Sequence, residues 1–309
     1  MDMRRDAGLF GRGGWINNGH PRRSSNAPDN EEMPVTALMR GRRGLIMGVA
    51  NDHSIAWGIA KVLAEHGAEL AFTYQGEALG KRVGPLAKSL GSDLVVPCDV
   101  ESLESLDGVF AALDGKWDHL DFVVHAIAFS EKNELKGLYA DTSRENFGRT
   151  MLISCFSFTE VAKRAAARMR DGGSMLTLTF GGSTRVMPNY NVMGVAKAAL
   201  EASVRYLASD YGPRGIRVNA ISAGPVRTLA GAGIADARQM FAYQKAHAPL
   251  GRTVSTEEIG GSALYLLSHL SGGVTGEIHH VDSGYNIISM PRPDVLKAQD
   301  AAGVTGEDA

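Results

Sequence analysis

Leu45-Ile46-Met47-Gly48-Val49-Ala50-Asn51-Asp52-His53-Ser54-Ile55-Ala56-Trp57-Gly58-Ile59 passes from an apolar run, through a glycine and a polar turn, into a segment of helical periodicity. Leu45 to Val49 reads as a short buried strand. After it, Ile55, Ile59, Val62 and Leu63 recur on one helix face, and Gly67 supplies a stop. Gly48 lets the backbone turn closely, and a helix beginning near Ser54 aims free N–H groups at the end of the strand, as a pyrophosphate site requires. The GxGxxG fingerprint is absent, and glycine after a strand is common, so this turn alone is weak evidence for a nucleotide.

The strand–helix unit recurs down the chain. Glu69 to Tyr74 reads as a second strand, followed by a stripe of Leu79, Val83, Leu86 and Leu90 closed by Gly91. Asp93 to Val100 is a third strand, Leu106, Val109, Phe110 and Leu113 mark the next helix, and Leu120 to Ala128 is a fourth strand. One long helix is expected over Ser143 to Met169. Ser174 to Phe180, Ile216 to Ile221 and Gly276 to Val281 complete the strands, and Ser255 with Glu258 has the form of a capping box. Such alternation predicts an α/β fold: a doubly wound, parallel, seven-stranded sheet of Rossmann type in a single domain.

That domain is expected over residues 41–290. Residues 1–40 hold Arg4, Arg5, Arg12, Arg22 and Arg23 with few apolar residues, too little to fold alone, and read as a disordered extension. They lack the apolar stretch of a secretory signal, and Asp2, Asp6, Asp29, Glu31 and Glu32 argue against a transit peptide. The natural start is expected near Met33. Residues 291–309 read as a flexible tail.

With 32 basic against 34 acidic residues, charge is nearly balanced, and no basic block interleaved with aromatics suggests nucleic-acid binding. No apolar run is long enough to span a bilayer. Cys98 and Cys155 are far apart in apolar surroundings, as core residues of a reducing, cytoplasmic compartment would be. The adjacent His279 and His280 would point to opposite faces of a strand, so no metal site is expected.

Tyr190 and Lys197 stand out within Pro188-Asn189-Tyr190-Asn191-Val192-Met193-Gly194-Val195-Ala196-Lys197. On one helix, this separation returns to within about 20° of the same face. An ammonium so placed can hold a cofactor ribose and ease charge on the phenol, which can donate to a developing oxyanion. Tyr74 and Lys81 have the same spacing, but Gly76 and Gly80 are expected to break that segment. Taken alone, such a pair is more often an ordinary tyrosine and a solvated lysine, so context must decide. Strand two ends in Thr73-Tyr74-Gln75 without the acid that selects NAD through its ribose. Lys81 and Arg82 are candidates for a 2′-phosphate, or simply solvated helix charges.

With these segments in order, the chain resembles the bacterial enoyl-acyl-carrier-protein reductases of the short-chain dehydrogenase/reductase superfamily. The resemblance runs from about Gly44 to Met290. It is carried by Gly48-Val49-Ala50 with Ser54-Ile55-Ala56, by Pro188 to Lys197, by Arg217 to Pro225, and by Gly276-Glu277 with Val281-Asp282. Commoner members place lysine four residues after the tyrosine; here that position is Gly194, and none of the eight tyrosines has a lysine there.

The resemblance implies cofactor contacts at Gly48, Ser54, Ile55, Gln75, Asp99, Val100, Ile127, Lys197 and Val226, with Thr228 at the pyrophosphate. On the substrate side it implies Ser130, Tyr190 and Met193, with Tyr190 and Lys197 catalytic. NADH is the expected cofactor, with NADPH open. The family's second tyrosine, ten residues before the first, is here Phe180, which leaves Tyr190 as sole phenolic donor.

Leu229 to Phe241 is expected to be a lid whose Ile234, Met240 and Phe241 line an acyl slot; an ordinary surface helix has the same composition. The implied partner is acyl carrier protein, docking at Arg238 or at Arg227 and Lys245, and the implied assembly is a homotetramer. Two rival readings are another superfamily reductase acting on a ketone or enone, and a non-catalytic NAD(P)-sensing regulator. A chain beginning at Met33 is expected to keep the activity of the full chain; a large loss in a side-by-side assay would show that the leader belongs to the working enzyme.

Overall fold

The computed structural model describes residues 37–228, 237–290 and 293–295. The extension expected over residues 1–40 lies outside them except for its last four residues, and so does most of the tail. Those four belong to the folded part. Ala37 and Met39 are buried, and the Met39 N–H donates to the His66 carbonyl at 2.9 Å.

Seven parallel strands form one sheet in the order β3-β2-β1-β4-β5-β6-β7. They are β1 (Arg43–Met47), β2 (Glu69–Tyr74), β3 (Val95–Pro97), β4 (Phe122–His125), β5 (Gly173–Thr179), β6 (Ile216–Ala223) and β7 (Ile278–Val281). Each side chain along a strand faces opposite to the last, yet both faces are dry. In β1, Leu45 and Met47 join a core built with α3 (Leu103–Asp114), α5 (Ser157–Ala166) and α6 (Asn191–Tyr211). Ile46 joins the opposite core, with α1 (Ile55–Glu65), α2 (Gly76–Ser89) and α8 (Thr256–Leu267).

The winding reverses between β1 and β4, which pair from Gly44–Phe122 to Met47–His125. Successive crossovers leave that point in opposite directions, so a crevice opens beyond the carboxyl ends of the two strands. The helix that points into it, α1, is anchored from behind by α8. Its partner begins with the expected capping box: Ser255 Oγ accepts from the Glu258 N–H at 3.2 Å, and Glu258 Oε2 accepts from the Ser255 N–H at 2.8 Å. A Cβ on Gly260 would lie 2.6 Å from Val62 Cγ2 and 3.0 Å from the Gly58 carbonyl oxygen, so glycine sets the approach of the two helices.

Three local expectations are corrected. The helix expected over Ser143 to Met169 is α4 (Arg144–Met151), a π-helical turn (Leu152–Phe156) and then α5. Side chains explain the wide turn: Ser157 Oγ donates to the Ile153 carbonyl at 2.7 Å. Ser154 Oγ accepts from the Phe129 N–H at 2.9 Å and donates to its carbonyl at 3.0 Å. Second, Gly76 and Gly80 do not break a helix, since α2 begins at the first and runs through the second. A Cβ on Gly80 would lie 2.6 Å from the Tyr74 ring, so this glycine makes room for an aromatic. Tyr74 and Lys81 share no helix face because Tyr74 ends β2.

Third, Tyr190 is the residue capping α6 rather than a member of it. Its neighbours Asn189 and Asn191 both have left-handed backbone, with φ of 58° and 30°.

Gly260→Ala is expected to lower stability by about 1–3 kcal/mol through overpacking, read as a lower denaturant midpoint with an unchanged slope.

Candidate active site

The crevice above the switch point is one elongated cleft in two adjoining parts that share Gly48, Ala50, Ala126, Ile127 and Ala128. At one end Gln75, Asp99 and Val100 line it. Toward the other, Ser54, Ile55, Lys197, Val226 and Thr228 line it, together with Tyr190, Phe180, Met240 and Phe241. All ten residues expected to contact a cofactor therefore lie along one cleft, although they come from six different loops or helices.

The turn after β1 is shaped for a phosphate. Gly48 has φ +97°, and a Cβ there would collide with the carbonyl of Ala126 after β4. Ser54 Oγ accepts from the N–H groups of Ala50 at 3.0 Å and Asn51 at 3.1 Å, which curls the turn over the start of α1. The first turn of α1 carries no acidic residue, so nothing there opposes an anion drawn to the helix N-terminus. At the far end the loop bearing Asp99 is fixed: its N–H donates to Ser105 Oγ at 2.8 Å, and Asp99 Oδ1 accepts from the Glu101 N–H at 3.0 Å. These residues fit a dinucleotide, with the Gly48 turn and the N-terminus of α1 between the two ends of the cleft.

Lys81 and Arg82 are not among the residues lining the cleft. Lys81 instead pairs with Glu77 at 2.8 Å on the exposed face of α2. Among the described residues one cation, Arg149, lines that end of the cleft, and it is paired with Glu101 at 2.9 Å and Glu131 at 3.1 Å.

Lys197 projects from the inner face of α6 and is 6 % exposed. Its Nζ donates to the Leu178 carbonyl at 2.7 Å. Burial lowers its pKa to about 8, against the opposing influences of Cys155 and Glu201. Tyr190 is half-buried, and burial pushes its phenol well above the ordinary range. The phenol is consequently neutral at working pH and able to donate, while the lysine is an ammonium on the acid side of about 8.

The loop that presents Tyr190 is strapped down. Asn191 Nδ2 reaches the carbonyls of Glu134, Lys136 and Gly137 at 3.3–3.4 Å. The Phe180 ring meets the Tyr190 ring edge-on, with centroids 5.3 Å apart.

Two expected substrate contacts, Ser130 and Met193, are not among the residues that line the cleft. Ser130 is buried, and its Oγ meets Asn146 Nδ2 at 3.2 Å and Thr150 Oγ1 at 2.9 Å. Met193 packs in a small apolar cluster with Leu135, Val192 and the Tyr190 ring, so it supports the tyrosine from behind. Ile234, and the rest of the lid segment up to residue 236, lie outside the described residues; α7 (Ala237–His247) brings Met240 and Phe241 to the cleft. The sequence reading missed Thr179, which lines the cleft, and Glu201, which lies behind Lys197. Glu201 had a visible signal, an acid four residues after the lysine.

Comparison with known proteins agrees with this geometry. The sequence profile of the enoyl-(acyl carrier protein) reductases matches residues 48–286. The chain is 73 % identical over 267 residues to NADH-dependent enoyl-acyl-carrier-protein reductase 2 of Rhizobium meliloti, covering 86 % of this chain and all of that one. The crystal structure of the Anaplasma phagocytophilum enoyl-acyl-carrier-protein reductase in complex with NAD superposes with a TM-score of 0.81 at 57 % identity, over 83 % of this chain and 98 % of that one. The Bacillus cereus enoyl-acyl-carrier-protein reductase, solved with NADP+ and an indole naphthyridinone, has a TM-score of 0.81 at 50 % identity, over 82 % of this chain and all of that one.

Gly48→Ala is expected to push the turn off β4 and carry the α1 N-terminus with it. Dinucleotide affinity by calorimetry should fall about tenfold or more, given about 1–3 kcal/mol of backbone strain; unchanged affinity would take this turn out of the site.

Proposed function

The chain belongs to the enoyl-acyl-carrier-protein reductase family, and from that premise we infer that it is an NADH-dependent oxidoreductase that saturates the trans-2 double bond of enoyl thioesters in fatty-acid synthesis. One observation carries the assignment of residues to that reaction. A neutral phenol and an ammonium line the same end of a cleft whose continuation is walled by the nucleotide-side residues.

NADH, when bound, supplies the hydride that reaches the β-carbon of the substrate. The protein's own part is electrostatic. As the double bond is reduced, negative charge gathers on the thioester oxygen. Tyr190 donates a hydrogen bond to that oxygen, where the bond strengthens as charge grows. Lys197 holds the ribose side and adds positive potential to the same region. Gly48, Ser54 and Ile55 receive the pyrophosphate with Val226 and Thr228. Gln75, Asp99 and Val100 border the adenosine, and Ile127 lies beneath the sugar and ring. Met240 and Phe241, both lining the cleft beside Tyr190, flank the acyl chain.

Phe180 stands where a second tyrosine is usual, and its ring lines the cleft. It cannot donate a proton, so the scheme uses no hydroxyl there and Tyr190 acts alone. The final proton on the α-carbon comes from solvent or a relay.

The enoyl chain arrives on acyl carrier protein, an acidic partner. Arg227 and Lys245 are exposed and border a shared hollow beside Phe241, which supports docking of that partner next to the cleft mouth. The side chain of Arg238 lies outside the described residues. A homotetramer fits the exposed apolar side chains of the α4–α6 region, among them Phe147, Phe156 and Tyr206. No helix among the described residues is long and apolar enough to cross a membrane, and both cysteines are buried free thiols, which supports a cytoplasmic enzyme.

NADH oxidation should be seen with a trans-2-enoyl carrier-protein thioester and not with its 3-ketoacyl counterpart. Tyr190→Phe, losing one donor worth about 2.7–4 kcal/mol, should slow turnover by roughly 10²–10³-fold. Wild-type turnover in that variant would remove Tyr190 from the mechanism.

A further inference from the structure

Adjacent residues of one strand hold Lys197 and a second charged side chain. The Leu178 carbonyl accepts from Lys197 Nζ at 2.7 Å. One turn further along α6, Glu201 Oε1 accepts from the hydroxyl of Thr179 at 2.6 Å. Residues four apart on a helix share a face, and Glu201 lies near enough to Lys197 to favour its charged form. Both are buried, at 6 % and 7 % exposure. Glutamate is almost never buried unless paired, and the scheme above does not employ Glu201.

Three other titratable groups face or adjoin Lys197: His125 of β4, Cys155 of the π-helical turn, and Tyr190 across the cleft wall. None carries charge. Burial takes His125 down to about 3, leaving a neutral imidazole that meets Ser157 Oγ at 2.9 Å. Burial pushes the Cys155 thiol and the Tyr190 phenol up, so both keep their protons. Cys155 would hold the lysine's proton more strongly than Glu201 only as a thiolate, and burial disfavours that form. Glu201 is the one carboxylate in the set, and it opposes the burial that draws the lysine toward neutrality.

We propose that Glu201 is a positioning residue for Lys197: tethered by Thr179, its carboxylate keeps the ammonium charged and in place to hold the cofactor ribose. The proposal rests on the cofactor-side role given to Lys197 above. It extends the working pair to a line of four, with Leu178 and Thr179 as the strand-borne anchors.

The test is NADH affinity of the full-length enzyme, by fluorescence titration from neutral to alkaline pH with no enoyl substrate present. Wild-type affinity should fall as pH rises through the Lys197 value near 8. In Glu201→Gln, which keeps the shape and can still accept from Thr179, the fall should come about one pH unit earlier. Glu201→Met, of similar length and without a polar head, should shift the same way and replaces the glutamine variant if that folds poorly. A fall at the wild-type pH in either folded variant overturns the proposal, as does a wild-type affinity flat across the range. Failure of the wild-type enzyme to oxidise NADH with an enoyl thioester would instead overturn the reaction assigned above, leaving the Glu201 titration standing.

Discussion

A protonated amine in a nearly dry place is the constraint from which this site follows. Removing an ammonium from water costs several kcal/mol even after relaxation, and Lys197 is 6 % exposed. The cost is tolerable because the side chain is delivered to fixed partners. α6 presents Ala196, Leu200, Val204 and Leu207 to the core, so the helix cannot rotate to expose the lysine. β5 ends where its Leu178 carbonyl can accept the ammonium. An ion held near its titration point by burial responds strongly to one added charge, which is why a carboxylate one turn away matters.

The sheet supplies the second half of the arrangement. Crossovers diverging at β1 and β4 open a crevice whatever the side chains are, but its use by a dinucleotide depends on how closely the turn after β1 lies against β4. Glycine at position 48 removes the atom that would strike the Ala126 carbonyl. On the other wall, the π-helical turn places Ser154 to grip both polar atoms of Phe129, just past the Ile127-Ala128 shelf. A regular helix would carry Ser154 round to another direction. The widened turn thus fixes the loop that brings Ile127 and Ala128 to the cleft, a common use for such irregularities near functional sites.

Elements set by local pattern were legible in the sequence. β2 coincides with its apolar run from Glu69 to Tyr74, the Ser255–Glu258 box caps α8 as its spacing predicts, and all ten cofactor-side residues fall along one cleft. Features set by partners distant in sequence were not. Gly80 looks like a helix breaker until the Tyr74 ring is seen against it, and the interruption of the Ser143–Met169 helix depends on Phe129 lying opposite Ser154. The partners of the Ser130 hydroxyl, Asn146 and Thr150, lie 16 and 20 residues away, beyond any local pattern. Thr179 and Glu201 are 22 residues apart, and only the packing of α6 on β5 joins them.

Phe180 shows how chemistry can be lost at a position while geometry is kept. An edge-on aromatic pair contributes about 0.5–1.5 kcal/mol beyond its buried area and restricts the angle between the rings. Phe180 retains that contact with Tyr190. Orientation matters because the tyrosine backbone is awkward: residues with left-handed φ flank it on both sides. That strain is met by Asn191, whose amide reaches three carbonyls of the 134–137 turn, and by Met193 packing behind the ring. Under the proposed mechanism the substrate oxygen is therefore left with one phenol, held by an aromatic edge, an amide strap and an apolar backing. A second hydroxyl would add a donor but would not be needed to aim the first.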